Sequence, residues 1–110
     1  MMSLALVSML LLVQADVAVS QARRAYGDCL TSAVRSHLDK NSDPAAFDGA
    51  LAGACAAQAA ALRNAILASE KAAGSSDTDA EELAQIEIED FETNTKDVYR
   101  LHLEQNTRPR

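Results

Sequence analysis

The chain has 110 residues, enough for one small domain, and it carries 10 Lys and Arg against 16 Asp and Glu. The resulting net charge of -6 disfavours nucleic-acid binding, because a phosphate-binding surface needs clustered basic residues. Only 4% of the residues are aromatic, so we expect a thin core in which a covalent cross-link contributes to stability.

The N-terminal stretch is typical of a secretion signal. The run from Leu4 to Val13 is apolar except for one serine, and about ten apolar residues are too few to span a bilayer. No Lys or Arg precedes this run, and small-residue cleavage patterns end at Ala15 and at Ala22. We therefore predict a signal peptide over residues 1–22, cleaved after Ala15 or Ala22, and no stable membrane span once it is removed.

Two alternatives remain for this stretch. Residues Leu4 to Val19 can extend the first helix, with Val19 opposite Ala65 of the returning helix. The segment can also be retained as a membrane anchor. The signal is favoured because residues 6–13 are apolar on nearly every side of a helix, and one groove cannot bury them all.

The centre of the chain predicts two antiparallel helices. Cys29 and Cys55 are equally far from Ser42, so they lie at one height in a hairpin that turns at Ser42. Apolar residues at helical spacing support this register on both sides. The predicted buried faces are Tyr26, Cys29, Leu30, Ala33, Val34, His37 and Leu38 on the first helix, and Phe47, Leu51, Ala54, Cys55, Gln58, Leu62, Ala65 and Ile66 on the second.

The second helix has a clear start and a clear stop. Asp43 can cap it, and Pro44 at the first helical position loses no hydrogen bond. We expect it to run without a break to Ala73, before Gly74. Gly49 and Gly53 predict that small side chains let the two helices approach closely.

The cysteines indicate a compartment. A small exported domain with two cysteines at one height predicts a Cys29–Cys55 disulfide, and hence a periplasmic or secreted protein. Two free cytoplasmic thiols are the weaker alternative. A metal site is disfavoured because no CxxC or HxxxH spacing accompanies the pair.

A third amphipathic helix is predicted from about Ala80 to about Glu104. Its apolar face, expected to dock on the hairpin, comprises Leu83, Phe91, Val98 and Leu101, flanked by Ile86, Ile88 and Tyr99. The poor helix formers at 93–95 favour a bend or fraying there. Residues 23–105 then form a single three-helix domain, and residues 106–110 are expected to be a disordered tail.

Candidate functional residues are few. Glu82, Glu89 and Glu92 share one flank of the third helix, which is typical of a solvated face and is also the candidate surface for a basic protein partner. His37 and His102 are isolated, and no nucleophile motif, glycine-rich phosphate loop or haem attachment motif is present. We predict no enzyme activity, no metal and no cofactor, and the oligomeric state is left open.

One resemblance extends over Tyr26 to Arg63. The pattern Tyr26-x-x-Cys29-Leu30, Pro44-x-x-Phe47, Leu51-x-x-x-Cys55 and Leu62-Arg63 resembles small exported two-cysteine helical proteins of bacteria, a group that implies a stapled hairpin and no activity. The general style is also similar to periplasmic acid-stress chaperones, without a shared motif. The sequence thus predicts a non-catalytic interaction or envelope-stress protein, with an acid-stress chaperone as the alternative.

Overall fold

The computed structural model describes residues 4–110, except for the side chains at positions 8, 11 and 12. Residues 1–3 of the predicted signal lie outside the described part. The helices are α1 (Leu4–Asp39), α2 (Pro44–Ala54), α3 (Ala56–Ala72) and α4 (Asp77–Gln105). The predicted all-α fold is confirmed: α1 and the returning α2 and α3 form an antiparallel hairpin, and α4 packs against all three.

The disulfide sets the register of the hairpin. Cys29 and Cys55 are bonded, with their Cα atoms 6.0 Å apart, as predicted. At the same register the ring of His37 meets the edge of Phe47, with ring centroids 5.3 Å apart. The constant spacing from the turn therefore identified true neighbours across the hairpin.

The turn is closed by the residues expected to close it. The Asp43 carboxylate accepts a hydrogen bond from the backbone N–H of Ala46 at 2.8 Å, and Pro44 is the first helical residue. Asn41 adopts a left-handed conformation with φ 53°, which ends the first helix.

The expectation of one unbroken second helix was wrong. The helix is interrupted at Cys55, whose φ and ψ are -128° and 32°, and α2 and α3 meet at an angle of 56°. The break turns α2 toward the C-terminal half of α4 while α3 stays against α1. Helical periodicity continues across Cys55, so the sequence pattern does not reveal it.

The glycines do not bring the helices together. A Cβ atom added at Gly49 or Gly53 would meet nothing within 4 Å, and both residues are exposed. Ala54, predicted to be buried, is exposed as well. The buried side chains of α2 are Phe47 and Leu51.

Helix α4 buries only part of the predicted face: Tyr99 is buried, and Ile88 and Phe91 pack against the core as partly buried residues. Its buried residues are Ala80, Ala84, Thr95 and Tyr99. Leu83, Ile86 and Leu101 are instead 42%, 48% and 48% exposed. The small residues Ala80 and Ala84 allow the N-terminal part of α4 to lie close to its neighbours.

Helix α4 begins earlier than predicted and is continuous through 93–95. Ser76 is the N-cap, and its hydroxyl accepts a hydrogen bond from the Asp79 N–H at 3.1 Å. The hydroxyl of Thr95 donates to the carbonyl oxygen of Phe91 at 2.7 Å, so this buried polar side chain is satisfied within a continuous helix.

The last residues have defined contacts, where the sequence predicts disorder for 106–110. Asn106 adopts a left-handed conformation with φ 54° and turns the chain back after α4. Arg108 then forms an ion pair with Asp39, and Arg35 donates to the backbone oxygen of Arg110 at 2.6 Å. The cap and these charged contacts place the tail against the end of α1.

Candidate functional site

The N-terminal part of α1 is an apolar arm, which we define as residues 4–15. Its described side chains from Leu4 to Val13 are all exposed, and Leu4 and Met9 are exposed by 86% and 68%. Isolated exposed apolar residues are common, but a run of this length is not. The arm is thus the most unusual surface of the chain.

The packed part of the chain, which we call the body, begins within a few residues of the arm. Val19 is only 6% exposed and belongs to the same core as Ile66, and Ala22 packs against that core. The Ser69 hydroxyl donates a long hydrogen bond, 3.4 Å, to the carboxylate of Asp16. The change from exposed to buried therefore falls between Ala15 and Val19.

A cleft of about 340 Å³ lies where α1, α3 and α4 meet at this end. It is lined by Asp16, Val19, Ser20, Arg23, Ile66, Ser69, Glu70, Leu83 and Glu87. Arg23 pairs with Glu87 across the cleft, and this hydrogen bond raises the pKa of Arg23. One of the three carboxylates that line the cleft is thereby neutralised, and Asp16 and Glu70 leave the cleft acidic.

The predicted acidic flank does lie on one side of α4. Glu82 and Glu89 are exposed and Glu92 is partly exposed. Their neighbours Glu81 and Glu87 instead pair with Arg63 of α3 and Arg23 of α1. The carboxylates of the flank thus face outward, while those of Glu81 and Glu87 attach α4 to the other helices.

The two histidines serve as helix-end residues. His37 Nδ1 lies 2.9 Å from the Ser42 hydroxyl, and His102 Nδ1 lies 2.8 Å from the Thr107 hydroxyl. A cleft of about 400 Å³ lies between the C-terminal ends of α1 and α4, and His102 and Asp39 are among the residues that line it. Each ring is already engaged by a hydroxyl of its own helix end.

The matching helix ends reveal a repeat that the sequence analysis missed. The segment Arg35 to Pro44 reads RSHLDKNSDP, and the segment Arg100 to Pro109 reads RLHLEQNTRP. In both, Asn is left-handed and the following N–H donates to the His carbonyl at 3.0 Å. Aligning these two segments would have found the repeat, whereas hydrophobic periodicity cannot, because the shared residues are mainly cap residues.

The offset that aligns the two segments, Arg35 with Arg100, also relates core residues of α1 to core residues of α4. It pairs Tyr26 with Phe91, whose rings are 5.1 Å apart, and Val34 with Tyr99, both buried. Helices α1 and α4 therefore run parallel and side by side, and both end at the closed end of the hairpin. Burial and the nearby Glu92 raise the pKa of Tyr26.

Across residues 4–110, no group of three His, Cys, Asp or Glu side chains is arranged to hold a metal ion. Over the same range no single helix combines the length and apolarity needed to cross a membrane, although the bent pair α2 and α3 together meets that composition.

Comparison of the chain with protein-family models, with curated proteins and with solved structures gives no match.

Proposed function

We propose that the protein is exported to an oxidising compartment and acts there as a non-catalytic binding protein. The observation that carries export is the exposed apolar arm directly before a disulfide-linked body. A signal segment is removed from the mature protein, so its apolar side chains do not need to pack against the rest of the fold. Disulfides form and persist in oxidising compartments and are rare in the reducing cytosol, so the Cys29–Cys55 bond supports export.

The binding surface we propose is the acidic flank of Glu82, Glu89 and Glu92, and the partner is a basic protein. The body leaves these carboxylates outward while it pairs Glu81 and Glu87. Clustered like charges attract an oppositely charged surface and lose that attraction as salt rises.

The test uses two triple charge reversals of equal size on α4. Glu82→Lys/Glu89→Lys/Glu92→Lys changes the flank, and Asp90→Lys/Asp97→Lys/Glu104→Lys changes exposed acids that are centred about a quarter turn away around the helix. We expect a basic envelope protein to be captured by the wild type and by the second variant, and to be lost by the first. Equal capture by all three forms would contradict the proposal.

A second candidate function, an acid-stress chaperone, is favoured by the way α4 is attached. Arg23, Arg63 and Arg100 each bind a carboxylate between α4 and another helix. The fully buried residues of the N-terminal half of α4 are alanines, Ala80 and Ala84. Since Asp and Glu carboxylates take up protons as pH falls toward about 3, acid would weaken these links and uncover apolar surface.

The measurement for this candidate is binding of an apolar dye during acidification. Glu81→Gln/Glu87→Gln removes two of the links at neutral pH, and we expect it to bind dye at a higher pH than the wild type. The matched control is Glu82→Gln/Glu89→Gln. Dye binding that stays flat down to about pH 3 in the wild type would exclude this function.

A further inference from the structure

We infer that the signal is cleaved after Ala15, so that the mature chain begins at Asp16. This inference rests on the proposed export, and it concerns which of two similar cleavage patterns is used. Val13-Gln14-Ala15 and Ser20-Gln21-Ala22 both end in alanine with a small or short side chain at the third position before the cut. The structure distinguishes them by what each cut would remove.

Burial places the boundary of the body before Val19. The described side chains of Leu4 to Val13 are exposed, so a cut after Ala15 removes none of the core residues that the structure describes. A cut after Ala22 would remove Val19, which is 6% exposed, and Ala22, which packs against the core. It would uncover Ile66, now 3% exposed.

Charge at the new helix end favours the same site. A helix N-terminus is stabilised by acidic residues and destabilised by basic ones. Cleavage after Ala15 makes Asp16 the first residue and places the new α-amino group beside a cleft lined by Glu70 and Glu87. Cleavage after Ala22 would instead put Arg23 and Arg24 at the helix start, together with the new positive amino group.

The interhelical contacts depend on the same residues. Asp16 reaches Ser69 of α3, and Arg23 pairs with Glu87 of α4. In a chain that begins at Asp16, Arg23 lies two turns inside the helix and is held in place. In a chain that begins at Arg23, the ion pair would depend on a terminal residue, where helices fray.

The experiment expresses the full chain in a bacterium that exports signal-bearing proteins, separates periplasm from cytoplasm, and determines the N-terminus by sequencing and intact mass. We expect a periplasmic chain that starts Asp16-Val17-Ala18. A periplasmic chain that starts Arg23-Arg24 would overturn the inference while leaving export intact. An unprocessed chain confined to the cytoplasm would overturn both, since nothing is then exported.

Two matched variants test the site itself. Val13→Glu and Ser20→Glu each place a charge three residues before a cut, and both positions are exposed in the fold. We expect Val13→Glu to abolish the chain that starts at Asp16, and Ser20→Glu to leave it unchanged. The opposite pattern would overturn the inference, and because only the N-terminus is read, the result does not depend on how stably either variant folds.

Discussion

The bundle has a closed end, at the turn between α1 and α2, and an open end, at the connection between α3 and α4. The two ends are held together differently. At the closed end, Phe47 stacks on Tyr99 with ring centroids 3.9 Å apart, and both rings are fully buried. At the open end, the buried residues of α4 are Ala80 and Ala84, and Val19 and Ile66 belong to the same core. Large stacked rings specify one arrangement, whereas small side chains with surface ion pairs fix it less firmly. We therefore expect stability to be concentrated at the closed end.

The disulfide lies between these two regions. Cys29 and Cys55 join α1 to the point at which α2 gives way to α3. The cross-link thus limits how far loosening of the open end can spread toward the Phe47 and Tyr99 stack.

The largest expected effect comes from removing a ring at the closed end. Phe47→Ala leaves a cavity beside Tyr99 and should lower the free energy of unfolding by about 3–5 kcal/mol. Val19→Ala at the open end removes two methyl groups and should cost about 2 kcal/mol. Urea denaturation of both variants measures the difference. An equal or larger loss for Val19→Ala would contradict the comparison.

Loss of the disulfide should come next in size. For a sequence separation of 26 residues, the chain-entropy relation gives about 3.5 kcal/mol for Cys29→Ala/Cys55→Ala. Amide hydrogen exchange should then rise more in α3 than around Phe47. The wild type treated with reductant is the control, and an unchanged urea midpoint after reduction would refute this role.

Alkaline pH should weaken the closed end. Burial, followed by the nearby Asp43, raises the pKa of Tyr99, although hydrogen bonding with the Ser42 side chain acts in the opposite direction. The unfolded phenol loses its proton near pH 10, so the folded state binds more protons above that pH, and stability falls as pH rises through the folded pKa.

Tyr99→Phe sharpens this expectation. It should cost about 1 kcal/mol at neutral pH, since the Ser42 carbonyl loses a donor, and should reduce the alkaline loss of stability. Tyr26 also has a raised pKa, so Tyr26→Phe is the companion variant. Urea midpoints between pH 8 and 12 measure both. A steeper alkaline loss in Tyr99→Phe than in the wild type would contradict the assignment.

The smallest effects are expected at two glycines near opposite ends. Gly49→Ala should stabilise the protein by about 0.5–1 kcal/mol, because the position is helical and a Cβ meets nothing. Gly74→Ala should destabilise it by about 1 kcal/mol, because Gly74 has φ 96°. Thermal unfolding measures both. Destabilisation by Gly49→Ala would contradict this prediction, because it would mean that the added methyl group clashes with a neighbour.

Much of the hairpin was predictable because its signals are local or symmetric. The cap at Asp43, the first position at Pro44 and the pairing of Cys29 with Cys55 each follow from a few neighbouring residues or from one spacing. The acidic flank was also predicted, since it needs only the helical period. The ion pairs of Glu81 and Glu87 were not predicted, because their Arg partners lie on other helices.

The sequence by itself determined the helices, the turn and the covalent alignment of the hairpin, since capping, periodicity and a single cysteine pair act over short distances or through one spacing. Only the tertiary structure decided which face of α4 is buried and where the second helix breaks. Apolar residues surround much of α4, so the choice of Ala80 and Ala84 over Leu83 depends on how closely the other helices allow it to approach.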